Sequence, residues 1–141
     1  MSDNIKTLEQ TLNSDGFAIT AEIPAPISAS AVEMEQKIDL LKGYVHAVNV
    51  TDNPGATAHM SSLAGCNIVR NKGIDPIFQV TCRDRNRLAI QSDLMGASAL
   101  GINNVLTLAG DPIKNGDQAD AKAVFDINSK KILSIMQTMN E

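Results

Sequence analysis

The sequence predicts an α/β fold: four parallel strands alternating with helices, the (βα)4 first half of a TIM (β/α)8 barrel, preceded by an extra N-terminal helix. Three observations lead there. Short apolar runs alternate four times with longer stretches of helical periodicity, joined by brief connections, as in a parallel sheet with right-handed crossovers. Each run closes on a polar residue, Glu22, Thr51, Thr81 and Asp111, at the strand ends where α/β folds carry their chemistry. Where a doubly wound nucleotide-binding sheet would show GxGxxG after its first strand, Pro24-Ala25-Pro26 stands instead. A complete barrel needs roughly 250 residues, so a chain of 141 residues reads as a single half-barrel domain over 1–141, a fragment or one that needs a partner.

The elements follow from periodicity and punctuation. Residues 3–13 form a short helix with Ile5, Leu8 and Leu12 on one side, placed to cover the closed end of the sheet, and Asp15-Gly16 turns the chain. Residues 17–23 are the first strand, ended by Pro24 and Pro26, which cannot donate to a ladder. Ser28 or Ser30 caps a helix to about Lys42, with Met34, Ile38 and Leu41 at helical spacing, and Gly43 stops it. Residues 45–50 are the second strand; a loop dense in turn formers, residues 51–55, leads to a helix over 59–71 that Gly73 breaks. The third strand is 76–81. Asp84 caps the next helix, which turns Leu88, Met95 and Ala99 inward until Gly101. The fourth strand, 103–108, is apolar on consecutive residues, which suits a strand covered on both faces, and Gly110-Asp111-Pro112 marks its exit. A polar loop then reaches a last helix capped by Asn128 or Ser129, with Ile132, Ile135, Met136 and Met139 on one face. The methionines at helical spacing, Met60 among them, are core filler.

Composition narrows the function. With 43% hydrophobic residues but only three Phe, one Tyr and no Trp, the core is aliphatic and lacks the aromatic platforms that bind single-stranded nucleic acid. A net charge of −4 without a clustered basic face argues against nucleic acid or a membrane surface as partner. The one basic run, Arg83-Asp84-Arg85-Asn86-Arg87, is interrupted by an acid; it reads as a solvated helix start, with a phosphate contact as the alternative at a strand end. Cys66 and Cys82 are isolated, and His46 and His59 have no paired ligands, so neither a disulfide framework nor a metal site is legible. Isolated cysteines, a polar N-terminus and the lack of a long apolar run together suit the cytoplasm. Asn49-Val50-Thr51 matches the glycosylation pattern by chance, inside a strand.

Glu22 and Asp111, at the ends of the first and fourth strands, face a common pocket if the sheet curves as a barrel does. A carboxyl among Ala21, Ile23 and prolines loses hydration, which favours its proton-donating form. Gln79 sits in a run so apolar that its amide must find partners, either backbone or the flat polar edge of a ligand. Thr51 and Thr81 taken singly are ordinary strand residues.

Four motifs, Thr20-Ala21-Glu22-Ile23-Pro24-Ala25-Pro26, Val48-Asn49-Val50-Thr51-Asp52, Gln79-Val80-Thr81-Cys82-Arg83-Asp84-Arg85-Asn86 and Leu108-Ala109-Gly110-Asp111-Pro112, resemble in order and separation those of methylenetetrahydrofolate reductases. The Thr-Cys-Arg-Asp-Arg-Asn run is similar to the bacterial and archaeal branch of one-carbon metabolism. The resemblance implies a barrel flavoprotein that interconverts 5,10-methylenetetrahydrofolate and 5-methyltetrahydrofolate by hydride transfer through flavin N5. It implies Glu22 as general acid, Asp111 as the acid beside flavin and folate, and Thr51, Gly110 and Gln79 as flavin contacts, Gln79 replacing a histidine of many members. Ala109 stands where much of the family has a phosphate-binding arginine, which leaves FMN beside FAD as cofactor. It also leaves the electron donor as NAD(P)H or a partner subunit. The chain is expected to pair as a homo-oligomer or with a complementary half-barrel; a non-catalytic half-barrel that works in binding or assembly is the competing reading.

Overall fold

The structure, a computed structural model, describes residues 7–140. Its elements are α1 (Leu8–Leu12), β1 (Thr20–Pro24), α2 (Val32–Leu41), β2 (Ala47–Thr51), α3 (Ser62–Asn71), β3 (Asp75–Thr81), α4 (Arg87–Ala99), β4 (Asn104–Leu108) and α5 (Ser129–Met139), with short 3-10 turns at Pro54–Ala56 and Ile113–Asn115. The strands form one parallel sheet in the order β1-β2-β3-β4. That sequential order decides between the two α/β architectures. A doubly wound sheet reverses its order at a switch point and puts helices on both faces; three right-handed crossovers in one direction put every connecting helix on the same face. The described residues are half of a TIM barrel.

Side chains sort accordingly. Ile23, Val50, Phe78 and Val80 are at most 4% exposed and pack with Met34, Ile38, Cys66, Val69, Ile90 and Ile132 from the helices. Because successive strand residues alternate, Glu22, Asn49, Thr51, Gln79 and Thr81 lie on the opposite face, which no helix covers. The sheet therefore builds its core on one side and collects polar groups on the other. Gly65 lets α3 come close: a Cβ there would stand 2.7 Å from Val50 Cγ1.

Several sequence expectations change. Leu106 on β4 is 40% exposed, so this strand is not covered on both faces; it is an edge with helices on one side only. On α4, Ile90, Leu94 and Ala97 are buried, whereas Leu88 and Met95 are exposed: the helix carries two apolar stripes at helical spacing and packs the other one. Asn86 caps α4 by accepting from Leu88 and Ala89 N–H, and Asp84 is held by Arg83 instead. Helix α2 begins at Val32 with no side-chain cap, later than Ser28 or Ser30 suggests. Of the methionines, Met34 is core while Met95 and Met139 are exposed. In α1, Thr11 is buried and Leu12 exposed; Ile5 lies outside the described residues. The expected position of α1 holds, since Leu8 N–H donates to Asp75 Oδ2 at 2.9 Å, at the first residue of β3 and so at the closed end of the sheet. The cysteines are free and buried, and burial pushes the Cys66 thiol up to about 12, which makes it inert. No described helix is long and apolar enough to cross a membrane.

The entry to α4 is fixed from the far loop. Asp126 accepts from Arg87 N–H at 3.0 Å and from its guanidinium at 2.7 and 3.0 Å. These bonds hold the Asp126 carboxyl down at about 2, from an ordinary 3.8. A depressed carboxylate stabilises the fold above its unfolded value and loses that contribution as pH falls through its folded one. The urea midpoint should thus fall between about pH 4 and about pH 2, and Asp126→Asn should flatten that part of the curve.

Candidate active site

At the C-terminal ends of the strands lies an open cavity of about 370 Å³. Glu22 from β1, Thr51 from β2, Gln79 and Thr81 from β3, and Gly110 and Asp111 from the exit of β4 line it together. Every residue singled out for a site in the sequence faces this one space. Asp52 adds a third acid, and no basic side chain among the described residues lines it.

Glu22 is exposed, so the loss of hydration expected from its neighbours does not describe it. Its side chain leaves the strand across β2 and is fixed by amides: Glu22 Oε2 accepts from Asn49 Nδ2 at 2.8 Å and Gln79 Nε2 at 3.2 Å. Gln79, 5% exposed, thereby finds the partner that its burial demands. Thr51 differs: its Oγ1 is buried and meets no partner among the described residues, as does Asn49 Oδ1. A buried hydroxyl left unpaired costs free energy unless a ligand reaches it.

Asp111 is tied to a neighbouring loop, its Oδ2 accepting from Gly55 N–H at 2.8 Å. Beneath this tie lies Arg83, 1% exposed. It grips Asp84 with Nε and Nη2, each at 2.7 Å, and donates to the carbonyls of Asp111 at 3.2 Å and Asn53 at 3.1 Å. One guanidinium so joins the exits of β2, β3 and β4. The hydrogen bond from Arg83 holds the Asp84 carboxyl below its usual range. Gly110 is required at this spot: its φ is +99°, and a Cβ would lie 2.9 Å from Arg83 Cβ.

A second clamp orders Thr81. Asp52, 3% exposed, accepts from Thr81 N–H and Oγ1 at 2.8 and 2.9 Å and from Arg85 at 2.6 and 3.0 Å. Arg85 also meets Asp93 at 3.0 Å; burial opposes its charge most strongly, but the bonds to Asp52 and the attraction of Asp52, Asp93 and Asp84 together raise its pKa. With Arg87 on Asp126, each arginine of the basic run is engaged by a carboxylate. Neither a solvated run nor a phosphate contact describes Arg83 and Arg85, which hold loops together, whereas Arg87, its side chain 53% exposed, is the solvated helix start that the sequence suggests. His46 and His59 are structural too, with Nδ1 bonded to Ile19 N–H and to the Ala25 carbonyl.

The family model of methylenetetrahydrofolate reductase matches residues 7–141. The chain belongs to the methylenetetrahydrofolate reductase family. A curated relative, "Methylenetetrahydrofolate reductase 1" of Schizosaccharomyces pombe, is 26% identical over 121 residues, which cover 84% of this chain and 20% of that protein. The chain thus spans a fifth of that relative's length. Sequence reasoning missed three residues of this candidate site: Asn49, Asp52 and Arg83. Asn49 alone had a readable signal, since it precedes Thr51 by two and so shares its strand face.

Proposed function

We propose that the chain carries the acid-bearing half of a flavin-dependent methylenetetrahydrofolate reductase, which interconverts 5,10-methylenetetrahydrofolate and 5-methyltetrahydrofolate. The observation that carries this is that Glu22 and Asp111, on separate strand exits, line one cavity. The cavity's residues suit a flavin. The unpartnered Thr51 Oγ1 can donate to or accept from the polar edge of an isoalloxazine, and Gln79, with its Nε2 turned to Glu22, keeps its carbonyl oxygen for a ring N–H. When bound, the flavin supplies hydride chemistry.

The chain's own part is proton handling and electrostatics. Glu22 delivers a proton to the bridge nitrogen of the folate; that C–N bond breaks, and the methylene carbon becomes an iminium ready for reduction. A cavity with carboxylates and no lining cation suits that positive charge, and Asp111 supplies a countering negative charge at the rim. Ala109 offers no charge to a cofactor phosphate, which keeps FMN beside FAD, and the electrons come from NAD(P)H or a partner subunit. The bare sheet face and the open edges at β1 and β4 favour a second reading, a half-barrel that completes itself against another copy or a complementary half and only binds.

Titration with FAD and with FMN separates the two readings. One of the flavins should be bound, with quenched fluorescence and yellow protein, and Thr51→Val should weaken binding by about tenfold, the worth of one hydrogen bond. Protein that quenches neither flavin belongs to the second reading.

A further inference from the structure

Glu22 and Asn49 are direct neighbours across β1 and β2, and Gln79 stands on β3. To reach both amides, the Glu22 side chain lies across the open face of β2, and both amides donate to the same oxygen, Oε2. No hydrogen bond among the described residues reaches Oε1. A proton on Oε2 would point at two N–H donors, so the carboxyl can carry its proton only on Oε1. The orientation of Asn49 is dictated as well, because its own oxygen would be repelled by the carboxylate. That leaves Asn49 Oδ1 buried without a partner. An asparagine placed for stability would satisfy its oxygen; this one is turned to serve Glu22.

We propose that Asn49 and Gln79 are positioning residues, an amide pair that fixes the Glu22 carboxyl by Oε2 and presents Oε1 as the proton-bearing atom. The proposal deepens the reductase reading by adding Asn49 to its proton-donating unit. The other titratable groups in this cavity are Asp52, held by Arg85, and Asp111, held by Gly55 N–H; no Lys, Arg or His lines it among the described residues.

The test begins on the isotope-labelled chain with neither flavin nor folate. The side-chain amide signals of Asn49 and Gln79 should move together as pH is lowered, with one shared midpoint, and that movement should be lost at both in Glu22→Gln. In Asn49→Leu the Gln79 signals should still titrate, at a higher midpoint, because the ionised form has lost one of two donors. Asn49→Ser, which also lacks the reach, should give the same displacement and serves if leucine disturbs folding. A merely structural Asn49 predicts a lower urea midpoint and an unmoved titration; positioning predicts the reverse for Asn49→Leu. Asn49 signals that ignore the titration seen at Gln79, or an unmoved midpoint in both variants, overturn the proposal. On flavin-loaded protein, Asn49→Leu should slow folate reduction about tenfold and leave reduction of the flavin by its donor unchanged. Failure to bind flavin would remove the reductase reading and leave the amide titration standing, so the two failures are distinguishable.

Discussion

Glu22→Gln is expected to lower folate reduction by about 10²- to 10⁴-fold, the usual contribution of a positioned general acid, while flavin binding and flavin reduction by the donor persist. The substitution is well suited to this site. A glutamine carbonyl can take the place of Oε2 and accept from Asn49 Nδ2 and Gln79 Nε2, and its NH2 then stands where Oε1 stood. Packing and the amide pair survive; only the transferable proton is gone. Rapid-mixing measurement of the two half-reactions reads the difference directly, since in the proposed reaction the reduction of the flavin by the donor does not use the Glu22 proton. Equal rates of folate reduction in parent and variant would remove Glu22 from the mechanism. Equal losses in both half-reactions would instead mean that the carboxylate organises the cavity as a whole.

The parts of the fold legible in the sequence were those marked by punctuation. Proline or glycine brackets most of the elements, as at Pro24, Gly43, Pro54, Gly73, Gly101 and Gly110, and the polar residues at the strand exits showed where the candidate site would lie, because a parallel strand has a single kind of exit. What stayed hidden had two physical sources. Periodicity cannot choose between two apolar stripes on one helix: Leu88 with Met95 and Ile90 with Leu94 both fit α4, and only its docking on the sheet buries the second pair. The other source is long-range pairing. Arg83-Asp84 reads as a solvated dipeptide, yet the guanidinium is buried because Asn53 and Asp111, from loops far along the chain, bring their carbonyls to it. Asn49 was hidden for a related reason: it sits in mid-strand, and its role arises only when β1 lies in register beside it.

Arg83→Met should be the most damaging single change to stability, about 3–5 kcal/mol, and should lower the melting temperature by about 10 °C or more. Methionine fills much of the same space, so the loss is not chiefly a cavity. It comes from what the guanidinium leaves behind: the Asp84 carboxylate without its two-pronged partner, the Asp111 carbonyl without a donor, and the Asn53 carbonyl with only Ala56 N–H. Asn53 suffers further, since its backbone is held in the left-handed region at φ 46°, and the Arg83 contact helps to keep it there. Released, the loop after β2 would carry Gly55 away from Asp111, so that cavity geometry fails together with stability. Arg83→Lys should recover little, because an ammonium cannot make a fork to Asp84 and reach two carbonyls at once. Arg83→Met with Asp84→Asn should recover more, by removing the stranded charge. Urea denaturation of the parent, both single variants and the pair checks this; a single-variant loss under about 1 kcal/mol would show that the three strand exits hold together without the guanidinium, and that Asp111 owes its place to Gly55 alone.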